Sequence, residues 1–355
     1  MQPFTYNANP ARILFGAGRL ADLGAEIERL GAKRALIITT PQQRAVGAAL
    51  VAQLGSLAGD VFDGATMHTP THVTAAALVV LQERQCDALV AIGGGSTIGL
   101  AKALALRTGL PQIAIPTTYA GSEVTPILGE TADGVKKTQR SLSLLPQVVI
   151  YDVDQTLSLP PAMSASSGMN AIAHAVEALY SRDANPIISL MAEEGIAALA
   201  RSLPVIVQSP GDADARSDAQ YGAWLCGICL GAVGMALHHK LCHVLGGSFD
   251  LPHAETHAIV LPHAIAYNAT VAPEAMARLG RALGGGKEPW AQLHAMLGRL
   301  GLPASLRDIG MPEEGLQRAL DLVLSDSYWN PRPMEPEPLR KLLRRAFEGA
   351  APTLD

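Results

Sequence analysis

DALVAIGGGSTIGLAKALAL, residues 87–106, is the stretch that decides the fold. A short buried apolar run turns through three glycines straight into an Ala/Leu-rich pattern of helical spacing, which is the unit of a parallel sheet covered by helices. The same rhythm precedes it in RALIITT (34–40), QQRAVGAALVAQLG (42–55), GDVFDG (59–64) and VTAAALVVLQERQ (73–85). QIAIPTT (112–118) and QVVIYDVD (147–154) extend the predicted sheet. After LSLPPAM (157–163) the strand signals cease, and the chain reads as Ala-, Leu- and Met-rich helices to its end. The expected architecture is a Rossmann-like α/β domain with a parallel sheet over residues 1–160 and an all-helical domain over 161–355, with Pro160 and Pro161 at the boundary.

The three glycines carry chemistry as well as a turn. Gly93, Gly94 and Gly95 let backbone amides approach a pyrophosphate, and the following helix N-terminus and the Ser96 hydroxyl aim further donors at the same oxygens. A plain βα turn needs fewer glycines, and the spacing is not G-x-G-x-x-G, so the usual dinucleotide fingerprint is not the basis of the assignment. A second loop, PTTYAGSEV (116–124), follows the next strand and brings hydroxyls to the same carboxyl edge of the sheet, where open α/β sheets bind ligands. Thr117, Thr118 and Ser122 are therefore expected at the coenzyme, with Val124 and Lys136 completing the set. Thr40 ends an early strand where an acidic residue would commonly hold the ribose hydroxyls, which leaves room for a 2′-phosphate, so NADH and NADPH both remain open.

With 48% hydrophobic residues, 17% charged residues and a net charge of -5, the chain can fill two cores but offers no basic field for nucleic acid or an anionic membrane. No leader segment is read at the N-terminus, and no apolar run reaches the roughly 20 residues of a membrane span. Cys226 and Cys229 form the one close pair among four cysteines, and their apolar flanks favour packed, reduced thiols and a cytoplasmic address.

The strongest signal is LHHKLCHVLGGSFDLPHAETHAIVLPH (237–263), which holds six of the ten histidines. His239 and His243 share a helical face by their spacing, Lys240 stands beside them, and His253 follows a Gly-Gly loop and a proline. Upstream, Asn170 and His174 share a face of another helix. A carboxylate at 170 with His174, His239 and His253 would make a site for a first-row divalent metal. Asparagine there removes the anion that would anchor the ion, so a metal-free pocket is expected. Histidines merely hydrogen-bonded in a core would account for one or two of the six.

These motifs identify a resemblance to the iron-containing alcohol dehydrogenase superfamily, and within it to the branch that reduces maleylacetate. The likeness spans essentially the whole chain, from the YNANPARILFGAG segment through GGGSTIGLAKA and IPTTYAGSEVTPI to the histidine block. Metal-using members carry aspartate at the position of Asn170 and commonly glycine at that of Ala254, and the reductase branch is regarded as metal-independent. The resemblance implies a dehydroquinate-synthase-like pairing of domains, a homodimer, and NADH- or NADPH-dependent reduction of the carbon-carbon double bond of maleylacetate to 3-oxoadipate in aromatic catabolism. For that dicarboxylate the expected roles are His243 as general acid, with Lys240, His239, His253 and His174 binding and polarising the substrate beside Asn170. Arg332 is a candidate carboxylate clamp or else a surface arginine, His257 a supporting residue, and His263 more remote. The rival expectations are a metal-dependent alcohol or hydroxyacid dehydrogenase of the same superfamily, a non-catalytic nucleotide binder, and a lyase of the dehydroquinate-synthase type.

Overall fold

The computed structural model describes residues 4–9, 11–132, 134–325 and 328–354. Two compact units emerge, residues 7–159 and one that runs from residue 160 onward and includes residues 4–6. In the first unit the strands are β1 (Arg12–Phe15), β2 (Ala35–Ile38), β3 (Ala58–Phe62), β4 (Ala88–Gly93), β5 (Gln112–Pro116), β6 (Ile127–Ala132), β7 (Val135–Arg140) and β8 (Val148–Tyr151). The helices between them are α1 (Leu23–Arg29), α2 (Arg44–Leu54), α3 (Thr71–Glu83) and α4 (Gly95–Thr108). Six strands form one parallel sheet in the order β1-β8-β5-β4-β2-β3, while β6 and β7 pair as an antiparallel hairpin.

Every residue of β2, β4, β5 and β8 is buried, which is why these segments read as continuous apolar runs rather than alternating ones. Ile37, Val90, Ile92, Ile113, Ile115, Val148 and Ile150 pack one face of the sheet against Leu23, Ile27 and Leu50 of α1 and α2. The chain leaves β2 for its neighbour β3 on one side and returns to β4 on the other. That reversal opens the sheet's carboxyl edge between the loops after β2 and β4, the place where such sheets take ligands.

The second unit is helical: α5 (Pro161–Tyr180), α6 (Pro186–Gln208), α7 (Ala213–Ala232), α8 (Leu237–Phe249), α9 (His253–Asn268), α10 (Pro273–Ala282), α11 (Pro289–Arg299), α12 (Gly315–Leu324) and α13 (Pro336–Glu348). The mixed α/β and all-helical architecture expected from the sequence is the one observed. Helix α5 is buried along nearly its whole length from Ser164 to Tyr180. Leu237, Leu241 and Leu245, four apart on α8, face a core made with Leu320 and Val323 of α12 and Leu342, Leu343 and Phe347 of α13. His239 and His243, offset by two positions, are therefore turned to the opposite side of α8. Cys226 and Cys229 are free, buried thiols on α7. No single helix among the described residues is long and apolar enough to cross a membrane.

Candidate active site

In the first unit, the glycine turn begins at Gly93, whose φ of 151° suits glycine. A Cβ there would lie 2.4 Å from Thr97 Oγ1 and 2.8 Å from Gln43 Oε1, and one on Gly94 would lie 3.0 Å from Thr118 Cγ2. Gly95 begins α4 with open space beside it. The two hydroxyl loops are tied together by Gln43, whose Nε2 donates to Thr117 Oγ1 at 3.1 Å while its Oε1 accepts from Thr40 Oγ1 at 3.5 Å. Thr40, Gly94, Thr117 and Thr118 are thus assembled at one sheet edge, next to the exposed Gly95 and the partly exposed Ser96. Gln43 was not foreseen, because its partner lies far along the sequence.

Ser122 and Val124 stand in a single 3-10 turn that Lys102 of α4 holds from behind. The fully buried Lys102 Nζ donates to Ser122 O at 2.6 Å, Thr125 O at 2.7 Å, Thr125 Oγ1 at 3.0 Å and Ile127 O at 3.0 Å. Burial pushes its pKa down to about 7, with the nearby Glu123 working in the opposite direction. Glu123 is itself buried and accepts from Tyr151 Oη at 2.8 Å. Lys136 lies in β7, and its side chain falls outside the described residues.

The histidines gather in the second unit, where α5, α8 and α9 meet. His174 and His239 lie with ring centroids 5.2 Å apart, His239 and His243 6.3 Å apart, and His253 and His257 4.2 Å apart. His257 proves central: its ring is 5.0 Å from that of His239 and 4.9 Å from that of His238. His174, His238, His239 and His257 are buried, whereas His243 and His253 are exposed. The sequence placed His257 in a supporting position, and the structure puts it in the middle of the group. His263 is elsewhere, with its ring 6.0 Å from that of His294.

Glu177, which the sequence reading passed over, organises this cluster. It follows Asn170 and His174 on α5 at i+7 and i+3, on the same face, and is fully buried. Its Oε2 accepts from His239 Nδ1 at 2.8 Å and from Ala236 N at 2.8 Å, and its Oε1 accepts from His238 N at 2.8 Å. His238 Nε2 donates to His257 O at 2.9 Å, which consumes that nitrogen. His239 Nε2, His174 Nδ1, Asn170 Oδ1 and both ring nitrogens of His257 are left buried without a hydrogen-bond partner. Burial lowers the pKa values of His174, His239 and His257 well below the usual range, neighbouring histidines adding to it, and pushes His238 down to about 4. The four buried rings are therefore biased toward the neutral form.

Lys240 is partly exposed, its Nζ 5.7 Å from the ring centroid of Tyr328. Arg332 is partly exposed and packs against Tyr267. Its guanidinium lies 4.3 Å over the ring of Tyr267 and donates to Tyr267 O at 2.9 Å.

The residues can be tested against the metal that the superfamily implies. His238, His239 and His257 bring ring nitrogens within 4.8 Å of one another, but one nitrogen of His238 is already spent on a carbonyl. Asn170 offers a neutral oxygen, and the Glu177 carboxylate is committed to two amides and an imidazole. The donors left over are all uncharged, a poor match for ferrous iron, which is ordinarily partnered by a carboxylate.

Residues 10–153 match the family described as iron-containing alcohol dehydrogenase, and residues 164–347 match the C-terminal part of the Fe-containing alcohol dehydrogenase family. The maleylacetate reductase of Rhizobium sp. strain MTP-10005 is 54% identical over 99% of this chain and 100% of its own. That of Sphingobium indicum is 55% identical over 98% of this chain and 99% of its own. The crystal structure of maleylacetate reductase from Agrobacterium tumefaciens superposes with a TM-score of 0.96 at 56% identity, covering 99% of this chain and 100% of that one.

Proposed function

The chain belongs to the iron-containing alcohol dehydrogenase family, and from that premise we propose that it reduces the carbon-carbon double bond of maleylacetate to 3-oxoadipate, with NADH or NADPH as hydride donor and no resident metal. The observation that carries the proposal is the conjunction of full-length identity above one half to maleylacetate reductases with a histidine cluster that has an amide at Asn170 and no free carboxylate.

The substrate is a dianion whose double bond is conjugated to a ketone. A nicotinamide coenzyme held by the first unit would supply hydride to the alkene carbon β to the ketone, and the electron pair of the double bond would then move onto the ketone oxygen as an enolate. The Lys240 ammonium is the cation placed to hold that oxygen or a neighbouring carboxylate. His243, exposed and so recharged directly from solvent, delivers the proton to the α carbon, and the enolate returns to a ketone. Hydride and proton together complete the reduction, and the coenzyme leaves oxidised. His174, His239 and His253 line the substrate, and Asn170 offers its amide to a substrate oxygen. In the first unit, the amides at Gly94, Gly95 and Ser96 take the pyrophosphate, and Thr40, Thr117, Thr118, Ser122, Val124 and Lys136 surround the rest of the dinucleotide.

The protein is proposed to work as a homodimer in the cytoplasm, a setting that suits its four unpaired, buried thiols. Its partners are then the dicarboxylate and a second copy of itself, not nucleic acid or membrane. The rival reading, a metal-dependent alcohol or hydroxyacid dehydrogenase, draws on the bare nitrogens of His174 and His239. One experiment separates the two. Loss of NADH and NADPH absorbance on adding maleylacetate is followed before and after exhaustive chelation, with metal analysis of the same sample. Equal rates are expected, and a requirement for added iron or zinc overturns the metal-free reading.

A further inference from the structure

Helix α8 carries His239, Lys240 and His243, yet its N-terminus has no local cap, because Ala236 stands at the cap position. The first amides of a helix lack partners within it and need acceptors from outside. Here they are supplied by distant elements. Glu177 of α5 accepts from Ala236 N and His238 N, both at 2.8 Å, and Asn330 Oδ1 accepts from Leu237 N at 3.3 Å. The positive end of the helix dipole also favours a carboxylate at this position. The same Oε2 that caps Ala236 meets His239 Nδ1 at 2.8 Å, while Nε2 of that ring is buried with no partner.

We propose that Glu177 is a positioning residue for the reaction: its carboxylate fixes the start of α8 and holds the His239 imidazole in the Nδ1–H tautomer, so that the Nε2 lone pair faces the substrate. The inference deepens the reading given under Proposed function, since it assumes that His239 meets the dicarboxylate. An ionised carboxylate already accepting two amides can take a third hydrogen bond only as acceptor, so the shared proton sits on the ring. Nε2 is then an acceptor until it takes up a proton, and the carboxylate behind the ring stabilises the imidazolium that forms when the dianion is bound. Such a carboxylate-imidazole pairing sets ring orientation and basicity together.

The test is long-range proton-nitrogen correlation on protein labelled with nitrogen-15 histidine, with His239 assigned by the signal lost in His239→Gln. The wild-type enzyme is expected to show a protonated Nδ1 and a bare Nε2 at His239 near neutral pH. In Glu177→Gln, whose amide cannot accept from all three donors, that pattern should be lost. In the same variant kcat with maleylacetate should fall by about 10- to 100-fold, while coenzyme affinity stays within about twofold. A wild-type His239 protonated at Nε2 overturns the proposal whether or not the variant folds. So does a folded Glu177→Gln protein that keeps the wild-type tautomer or the wild-type kcat. A wild-type enzyme inactive on maleylacetate would instead remove the functional reading and leave the tautomer result standing.

Discussion

At the scale of single residues, the site is decided by which side chains carry charge. His243 is the exposed member of the α8 pair, and its removal would take away the proposed proton donor while leaving the glycine turn of the other unit unaltered in sequence. His243→Ala is expected to lower kcat by about 10² to 10⁴ while NADH binding, read by its fluorescence, persists. Unchanged turnover removes His243 from the mechanism. Asn170 is the complementary case. Asn170→Asp introduces an anion one helical turn from His174, whose Nδ1 is buried without a partner, and the variant is expected to retain stoichiometric iron or zinc after dialysis where the wild-type protein retains none. Equal metal content in the two proteins would show that the amide is not what excludes the ion. The histidines and Asn170 were legible in the sequence because their spacing matches a helical turn. Glu177 shares that spacing, but a glutamate in an alanine-rich helix reads as a solvated residue, and only the fold reveals that no water reaches it. Arg332 reads from its chemistry as a carboxylate clamp or a surface arginine, and its stacking on Tyr267 belongs to packing that no local pattern encodes.

Among the elements, α4 shows how one helix serves both loops proposed to hold the coenzyme. Its start forms the glycine turn, and Lys102, two turns further on, binds one carbonyl within the second loop and two of the segment that follows it. Replacing Lys102 by Met leaves buried carbonyls without donors, at about 1–3 kcal/mol for each. Lys102→Met should therefore lower the melting temperature measurably and raise KM for NADH, with a smaller change in KM for maleylacetate. A shift of equal size in both constants would mean that the lysine supports the fold at large and not the coenzyme loop. The strand and helix rhythm through β2, β4, β5 and their helices was readable because those strands are buried on both faces. The β6–β7 hairpin was not. Its residues, such as ILGETA and VKKTQR, are polar and partly exposed and lack the apolar run that betrays a central strand. Strand order was also out of reach, since the reversal between β3 and β4 is a matter of tertiary packing that no local pattern encodes.

For the molecule as a whole, the buried histidines set its response to acid. His174, His239 and His257 have pKa values lowered by burial, His238 is pushed down to about 4, and His263 to about 3. In the unfolded chain these imidazoles titrate near pH 6.5, so below that value the unfolded state binds protons that the folded state refuses. Stability contributed by neutral burial is present above about pH 6.5 and drains away as pH falls toward the folded values near 4 and 3. Glu177 and Glu123, raised by burial, work in the opposite sense, since the folded state takes up their protons more readily. Six depressed imidazoles, the sixth being His294, against two raised carboxyls leave the histidines dominant, at about 1.4 kcal/mol for each pH unit of depression. All six lie in the helical unit, which is therefore expected to melt at progressively lower temperature between pH 6.5 and 4, while the α/β unit, which contains none of them, changes less. Scanning calorimetry across that range, with the two transitions assigned by hydrogen exchange, measures the slope. A helical unit whose melting temperature holds constant down to pH 4 would mean that the imidazoles are already charged in the folded protein, and the bias toward the neutral form assigned to the four buried rings would fall with that result.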